Sequence, residues 1–246
     1  MAYEKRVDGR KFDELRPMEA KVGVVEKANG SAMFKIGKTI AVAAVYGPRE
    51  LYPAAFQNPN SGTLRCNYNM MAFSGSGNRV KPGPSRRSKE ISMVTEKALL
   101  PVLDLKDYAG SVIDVFIELI QTDAGTRCAG ITAASMALAD AGIPMKDLIS
   151  SVAAGRVGGK VVLDLNKEEE DYEGHATDIA TAFSTRTGEI TLLQMDGPVD
   201  KKELRKALEL ARKGCEEIKK LQIKALKEKF KVDGKQAKQQ VGEENE

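Results

Sequence analysis

Short apolar runs alternate with polar breaks marked by glycine and proline, and the period of each run predicts its element. Residues 18 to 25 and 31 to 36 read as two strands flanking Ala28-Asn29-Gly30-Ser31, because Asn-Gly suits a tight hairpin turn with positive φ. Thr39 to Tyr46 is a third, more apolar strand, stopped by Gly47-Pro48. A loop over 53 to 63, carrying Pro53, Pro59, Asn60, Ser61 and Gly62, leads into a strand from Leu64 to Met71. A second loop, Ser74 to Ser85, precedes helix signals that start at Ser88 as N-cap and run to about Leu103. The β-branched run Val112 to Ile120 predicts a buried strand, and Ile131 to Ala139 a close-packed helix ended by Gly142-Ile143-Pro144.

The second half is shorter. Ser150 to Val157 and Lys160 to Leu165 pair across Gly158-Gly159, and an acidic loop from Glu168 to Gly174 follows. Asp178 to Ser184 and Glu189 to Met195 form a hairpin around Thr187-Gly188. A long helix begins after Asp200, with apolar positions at Leu204, Leu208, Leu210, Ala211, Ile218 and Leu221. Beyond Phe230 the chain is rich in Lys, Gln and Glu and has little to bury, which predicts a frayed or disordered tail. The pattern is α+β, two βα halves packed together. It divides into an N-terminal arm (1–16), a first half (17–149), a second half (150–225) and a charged tail (226–246), with no residue-level repeat.

Composition removes several functions. At 246 residues the chain can bury a sizeable core as one large domain or two packed halves. No apolar run approaches the roughly 20 residues of a membrane span, and no apolar stretch follows Met1 to Arg6 as a signal peptide requires. Cys66, Cys128 and Cys215 match neither a zinc spacing nor a disulfide framework, so a reducing cytoplasm is the expected location. Net charge is only +3, so a nucleic-acid role has to rest on local clusters of charge.

Such clusters exist. Asp123-Ala124-Gly125-Thr126-Arg127 lies between the buried strand and the small-residue helix. A strand turning through Gly125 into a helix leaves unpaired N–H groups and partial positive charge, which suits a phosphate, and Arg127 adds a planar, permanently charged fork. The same triplet also fits an ordinary strand–helix junction with a surface arginine. Arg86-Arg87 stands immediately before the Ser88 cap, flanking another helix N-terminus, or forms a solvated basic loop. Asp171 and Asp178 could hold a hydrated Mg²⁺ or protonate a leaving oxygen, the alternative for 168 to 173 being a solvated acidic turn. Period-2 alternation puts Arg65 and Tyr68 on opposite strand faces: Arg65 could bind phosphate, and Tyr68 could stack on a base or fill the core. His175, the single histidine, reads as a solvent-exposed loop residue rather than a general base.

Several of these segments together resemble a known family. Arg6-Val7-Asp8-Gly9-Arg10 and Glu14-Leu15-Arg16-Pro17 resemble the opening signature of the RNase PH family of phosphorolytic 3′→5′ exoribonucleases. Within it, Tyr46-Gly47-Pro48-Arg49-Glu50, Pro82-Gly83-Pro84-Ser85-Arg86-Arg87-Ser88, Asp123 to Arg127, Ala139 to Met145 and Thr191 to Gly197 are similar to the branch that supplies the catalytic subunit of the archaeal exosome. The resemblance runs from about residue 6 to residue 230 and leaves out the tail.

The resemblance implies an RNase PH-like fold of the ribosomal protein S5 domain 2 type. It implies a ring of three heterodimers with an inactive sister subunit, RNA-binding cap subunits, and single-stranded RNA as substrate. The reaction implied is 3′ shortening by inorganic phosphate with Mg²⁺ or Mn²⁺, reversible to 3′ tailing. Gly125, Thr126 and Arg127 match the phosphate-binding motif, and Arg86 and Arg87 match the arginine pair that grips phosphate and RNA near the scissile bond. Asp178 matches the general acid or metal ligand, Asp171 the second carboxylate, and Arg65 and Tyr68 the positions that guide and stack RNA. The chain departs from the pattern at Asn67, where relatives carry arginine, and in the uncharged loop Ser74 to Asn78. The Asp171–Asp178 spacing is also one residue longer than the family pattern, which makes Glu170 a rival for the second carboxylate. Three other readings would use the same fold: a scaffold subunit without catalysis, a stand-alone enzyme trimming transfer-RNA 3′ ends, and an S5-like RNA-binding module.

Overall fold

Alternating apolar positions build two sheets that share one central helix. The computed structural model describes residues 3–76, 79–81, 83–173 and 176–243, with 232–243 described as backbone alone. The first sheet contains β1 (Met18–Val22), β2 (Gly30–Ile36), β3 (Thr39–Glu50), β4 (Thr63–Met70) and β5 (Ser111–Gln121), in the order β1-β2-β3-β5-β4. Only β4 and β5 are parallel, so they need a crossover, which α1 (Arg86–Leu99) supplies. The second sheet is antiparallel, with β6 (Ile149–Val157), β7 (Lys160–Leu163), β8 (Thr177–Ser184) and β9 (Glu189–Asp196) in the order β7-β6-β8-β9.

Helix α2 (Thr126–Asp140) packs on β2, β3 and β5 on one side and on β6 and β8 on the other. All its residues from Cys128 to Leu138 are buried, which is why it is built from small side chains and has no polar stripe. A Cβ at Gly130 would already stand 3.1 Å from Ile117. A short helix α3 (Lys167–Glu170) and the long α4 (Lys201–Glu243) complete the chain, with α4 lying across β6 and β1.

Four local readings change in the structure. The β1–β2 connection is a wider loop over 23–29, and Gly30 is required by close packing instead of by positive φ: a Cβ there would meet the Ala141 amide nitrogen at 2.2 Å. Gly47-Pro48 does not stop β3 but carries a bulge between Tyr46 and Arg49, Gly47 taking φ 113°. The N-cap of α1 is Ser85, in a capping box with Ser88, so Arg86 and Arg87 form the first turn of the helix. Finally, α4 stays helical to Glu243 where a frayed tail is expected, because Lys, Gln, Ala and Glu are good helix formers even without a face to bury. Pro82 and His175 lie outside the described residues.

The N-terminal arm is tied down by buried charge. Arg16 donates to both carboxylate oxygens of Asp164, at 2.7 and 2.9 Å, and also reaches the Ala124 carbonyl at 3.3 Å and Asp123 at 3.2 Å. Asp164 takes φ 53°, a conformation that Asp tolerates through its short polar side chain. Beside it, Arg6 forms a fully buried pair with Glu169 at 2.7 Å, and the Tyr3 hydroxyl donates to the same carboxylate at 2.5 Å.

Removing Asp164 takes the bidentate partner from the buried Arg16 guanidinium and leaves it only the longer contacts to Asp123 and the Ala124 carbonyl. Asp164→Ala should therefore lower the unfolding free energy by about 3–5 kcal/mol. Denaturant unfolding followed by circular dichroism measures this; a loss under about 1 kcal/mol would contradict the bridging role.

Candidate active site

The turn from β5 into α2 shapes the site. Gly125 takes φ 65° and ψ 29° as N-cap, and the first intrahelical bond runs from the Ala129 N–H to the Gly125 carbonyl, at 3.0 Å. The N–H groups of Thr126, Arg127 and Cys128 consequently lack intrahelical partners, as helix geometry requires. The turn is fixed from outside: Thr39 Oγ1 donates to the Ala124 carbonyl at 2.8 Å, and the Thr122 N–H donates to the Ser74 carbonyl at 2.8 Å.

Around it lies a cleft with two lobes. The first, of about 710 Å³, is lined by the turn and by Lys38, Phe73 and Ser74 to Ser76; the second, of about 600 Å³, reaches Glu90, Asp171, Gln194 and Asp196. Arg87, Arg127, Lys167, Glu170 and Asp178 line both. These five come from α1 and α2 in the first half and from α3 and β8 in the second.

Arg127 is half-buried, and its Nη1 donates to Gln194 Oε1 on β9; Gln194 in turn donates to Glu90 on α1 at 3.1 Å. That relay fixes the guanidinium plane. Arg87 is exposed and has no ion-pair partner among the described residues, which leaves its charge free for an anion.

Asp178 stands where β8 opens, paired in register with Asp196. Its Oδ1 is buried without a hydrogen-bond partner. Burial pushes its carboxyl above the ordinary value; Arg127 and Arg87 pull it down, and Asp196 raises it again. Glu170 is pushed up to about 7, chiefly by burial and then by Asp178, against the opposing charges of Lys167, Arg16 and Arg87. Asp171 differs: it is exposed and spends its charge on Lys167 at 2.7 Å. No group of three or more Cys, His, Asp or Glu side chains is arranged for a metal among the described residues.

The sequence-derived set therefore divides. Gly125, Thr126, Arg127, Arg87 and Asp178 meet in the cleft, and Asp171 borders its second lobe only. Arg86 lines neither lobe. Arg65 is exposed on the edge strand β4, roughly 16 Å along the strand from Met70 at the cleft. There it shares buried Asp114 with Arg49; burial alone would raise that carboxyl, but the two guanidinium groups hold it below the ordinary range.

The stacking role of Tyr68 is corrected. Its ring is 1% exposed, under α2 beside Gly130, so it fills the core and presents no face to a base. The reason is period 2: with Arg65 outward, Tyr68 must point inward. Lys167 and Gln194 were not foreseen as site residues. Asn166-x-x-Glu169, a capping box, is the signal that a short helix would place Lys167 here. Gln194 carries no local signal.

The chain is similar to known proteins over most of its length. The model of the 3′ exoribonuclease family, domain 1, matches residues 14–144, and that of domain 2 matches residues 147–214. The exosome complex component Rrp41 of Pyrococcus abyssi is 54% identical over 226 residues, 92% of this chain and 90% of that protein. The protein of the same name from Methanopyrus kandleri is 51% identical over 228 residues, 93% of this chain and 94% of its own. A crystal structure of rice (Oryza sativa) Rrp46 superposes with a TM-score of 0.78 at 24% identity, covering 90% of this chain and 100% of that one, a likeness of fold.

A carboxyl whose folded pKa is raised destabilises the fold as pH climbs from its unfolded value, near 4.5, to its folded value, about 7. Glu170→Gln removes that loss. The variant should match the wild type near pH 5 and be more stable by about 1–3 kcal/mol at pH 8, as read by denaturant unfolding at both pH values. Equal stability at pH 8 would show that burial and the neighbouring Asp178 do not raise the Glu170 carboxyl.

Proposed function

The chain belongs to the 3′ exoribonuclease family, and from that premise we propose that it is the catalytic subunit of an archaeal exosome ring. It shortens single-stranded RNA from the 3′ end with inorganic phosphate and releases nucleoside diphosphates. One observation carries this reading: Arg127, on the open N-terminal turn of α2, lines the same cleft as Asp178, a carboxylate with one buried oxygen that has no hydrogen-bond partner. An anion-accepting turn and a proton-donating or metal-holding acid share one space.

The chemistry follows from charge. Inorganic phosphate binds at the N–H groups of Thr126 to Cys128 with Arg127, and the terminal phosphodiester of the RNA lies toward Arg87. A phosphate oxygen attacks that phosphorus, the bond to the 3′ oxygen of the preceding nucleotide breaks, and that oxygen takes a proton. Two phosphate centres come together with their negative charge, so pre-oriented guanidinium groups contribute more than a nucleophilic side chain would. No histidine or cysteine is needed in this step. Because one phosphoester is exchanged for a phosphoanhydride, the reaction runs both ways, and diphosphates extend RNA tails.

Asp178 with Glu170 is the carboxylate pair that serves the leaving oxygen. Glu170 is better situated than Asp171, lining both lobes and sensing the Asp178 charge. The unpartnered Oδ1 of Asp178 and the neighbouring Glu170 fit a hydrated Mg²⁺ or Mn²⁺, which keeps most of its water and needs only one or two protein carboxylates. When bound, such an ion would neutralise charge on the leaving oxygen and the phosphates. Arg65, with Arg49, guides the RNA backbone toward the cleft from the edge of the first sheet.

The subunit assembles with RNase PH-like partners, and we assign these to an inactive sister alternating around a six-membered ring that also carries RNA-binding caps. Exposed Leu193 and Met195 on the edge strand β9 are surface that such a neighbour would cover.

End-labelled RNA incubated with the assembled ring tests the reaction. Shortening should require phosphate and yield diphosphates. Arg127→Ala and Asp178→Asn should each lower kcat by about 10²–10³-fold. Glu170→Gln should reduce the rate far more than Asp171→Asn does. Monophosphate products formed without phosphate would sink the phosphorolytic mechanism.

A further inference from the structure

The cleft as described binds phosphate and charge, and with Tyr68 in the core it lacks the expected base-stacking ring. Another ring is available. Phe73 is 72% exposed and is the only aromatic side chain that lines either lobe among the described residues.

Its position is set by the backbone. Ser74, the next residue, is buried; its N–H donates to the Met71 carbonyl at 2.9 Å, and its carbonyl accepts from the Thr122 N–H at 2.8 Å and the Thr122 hydroxyl at 3.2 Å. Thr122 leads directly through Asp123 and Ala124 into Gly125. A second bond, from the Val80 N–H to the Ala72 carbonyl at 3.2 Å, holds the other side of the turn. Phe73 is therefore clamped beside the phosphate-binding turn and is not carried on a free loop tip.

The surroundings define what the ring fits. Lys38, Ser76 and Thr122 line the same lobe, so Phe73 offers one apolar π-face framed by polar and cationic groups. A protein surface that docks by apolar burial needs a contiguous patch. A nucleobase needs a single flat face, with its phosphate held by nearby cations.

We infer that Phe73 is the stacking platform for a nucleobase near the 3′ end of the RNA, a specificity-determining residue at the cleft rim. The inference rests on the RNA substrate proposed above. Stacking tolerates every base but strengthens with ring area, so Phe73 favours purine-ended RNA without reading sequence by hydrogen bonds.

The test titrates labelled single-stranded RNA into the assembled ring in phosphate-free buffer, using an ordinary 3′ end and one whose terminal nucleotides lack bases. Phe73→Ala should weaken binding of ordinary purine-ended RNA by about tenfold, and Phe73→Tyr should restore it. The abasic RNA should bind the wild type and Phe73→Ala alike. In steady state, KM for RNA should rise more than kcat falls. Binding within twofold of wild type in Phe73→Ala would overturn the inference. So would full rescue by Phe73→Leu, or a ring that no longer assembles, which would make Phe73 a packing or subunit contact. A wild-type ring that neither binds RNA nor shortens it with phosphate would instead overturn the proposed function, and this control is read first.

Discussion

The Arg16 guanidinium is the bridge on which the site depends. It joins Asp164, beyond β7 in the second half, to Asp123 and the Ala124 carbonyl, at the phosphate-type turn of the first half. Thr39 and Ser74 hold that turn from within the first half, and Arg16 adds the tie to the second. Arg6 and Glu169 repeat the device one layer away, fixing α3 and with it Lys167 and Glu170 against the cleft. Buried pairs of this kind give little net stability over an apolar filling, but they tolerate few alternative geometries. Their effect here is positional: they decide how the two halves meet, and the cleft is the seam.

With the seam fixed, electrostatics within the cleft follows. Arg87 and Arg127 reach it from the first turns of α1 and α2, where helix dipoles already favour anions. Asp178 and Glu170 face them from the second half, both pushed up by burial. A site that must first gather two phosphates and then release an alkoxide needs this opposition. Cations alone would hold the anions without serving the leaving oxygen. Gln194 takes one arm of Arg127 and orients its guanidinium.

Packing explains which residues are free to act. The helix between the sheets is buried along nearly its whole length, and its small side chains let Tyr68 slide beneath it. That places the one tyrosine of β4 in the core and leaves the exposed ring of Phe73 at the cleft. Residues that carried the family resemblance divide in the same way. Arg6, Arg10 and Arg16 are structural, joined to Glu169 and Asp164, whereas Arg87, Arg127 and Asp178 are presented to solvent space in the cleft.

Local sequence determined the elements and much of the chemistry. Period-2 and small-residue patterns marked the strands and the central helix, Gly125 marked the strand-to-helix turn, and the motif order marked the family, because each depends on neighbours along the chain. Turn and cap details were less legible: Gly30 is dictated by the approach of Ala141, a residue more than a hundred positions away, and Ser85 outcompetes Ser88 as cap because a capping box needs both. Only the tertiary structure decided the membership of the site. Glu170 lining both lobes with Asp171 at the rim of one, the Gln194 relay, buried Tyr68 and exposed Phe73 all follow from how distant segments pack together. That arrangement is a sum of packing and buried charge pairs between distant segments, which no local pattern encodes.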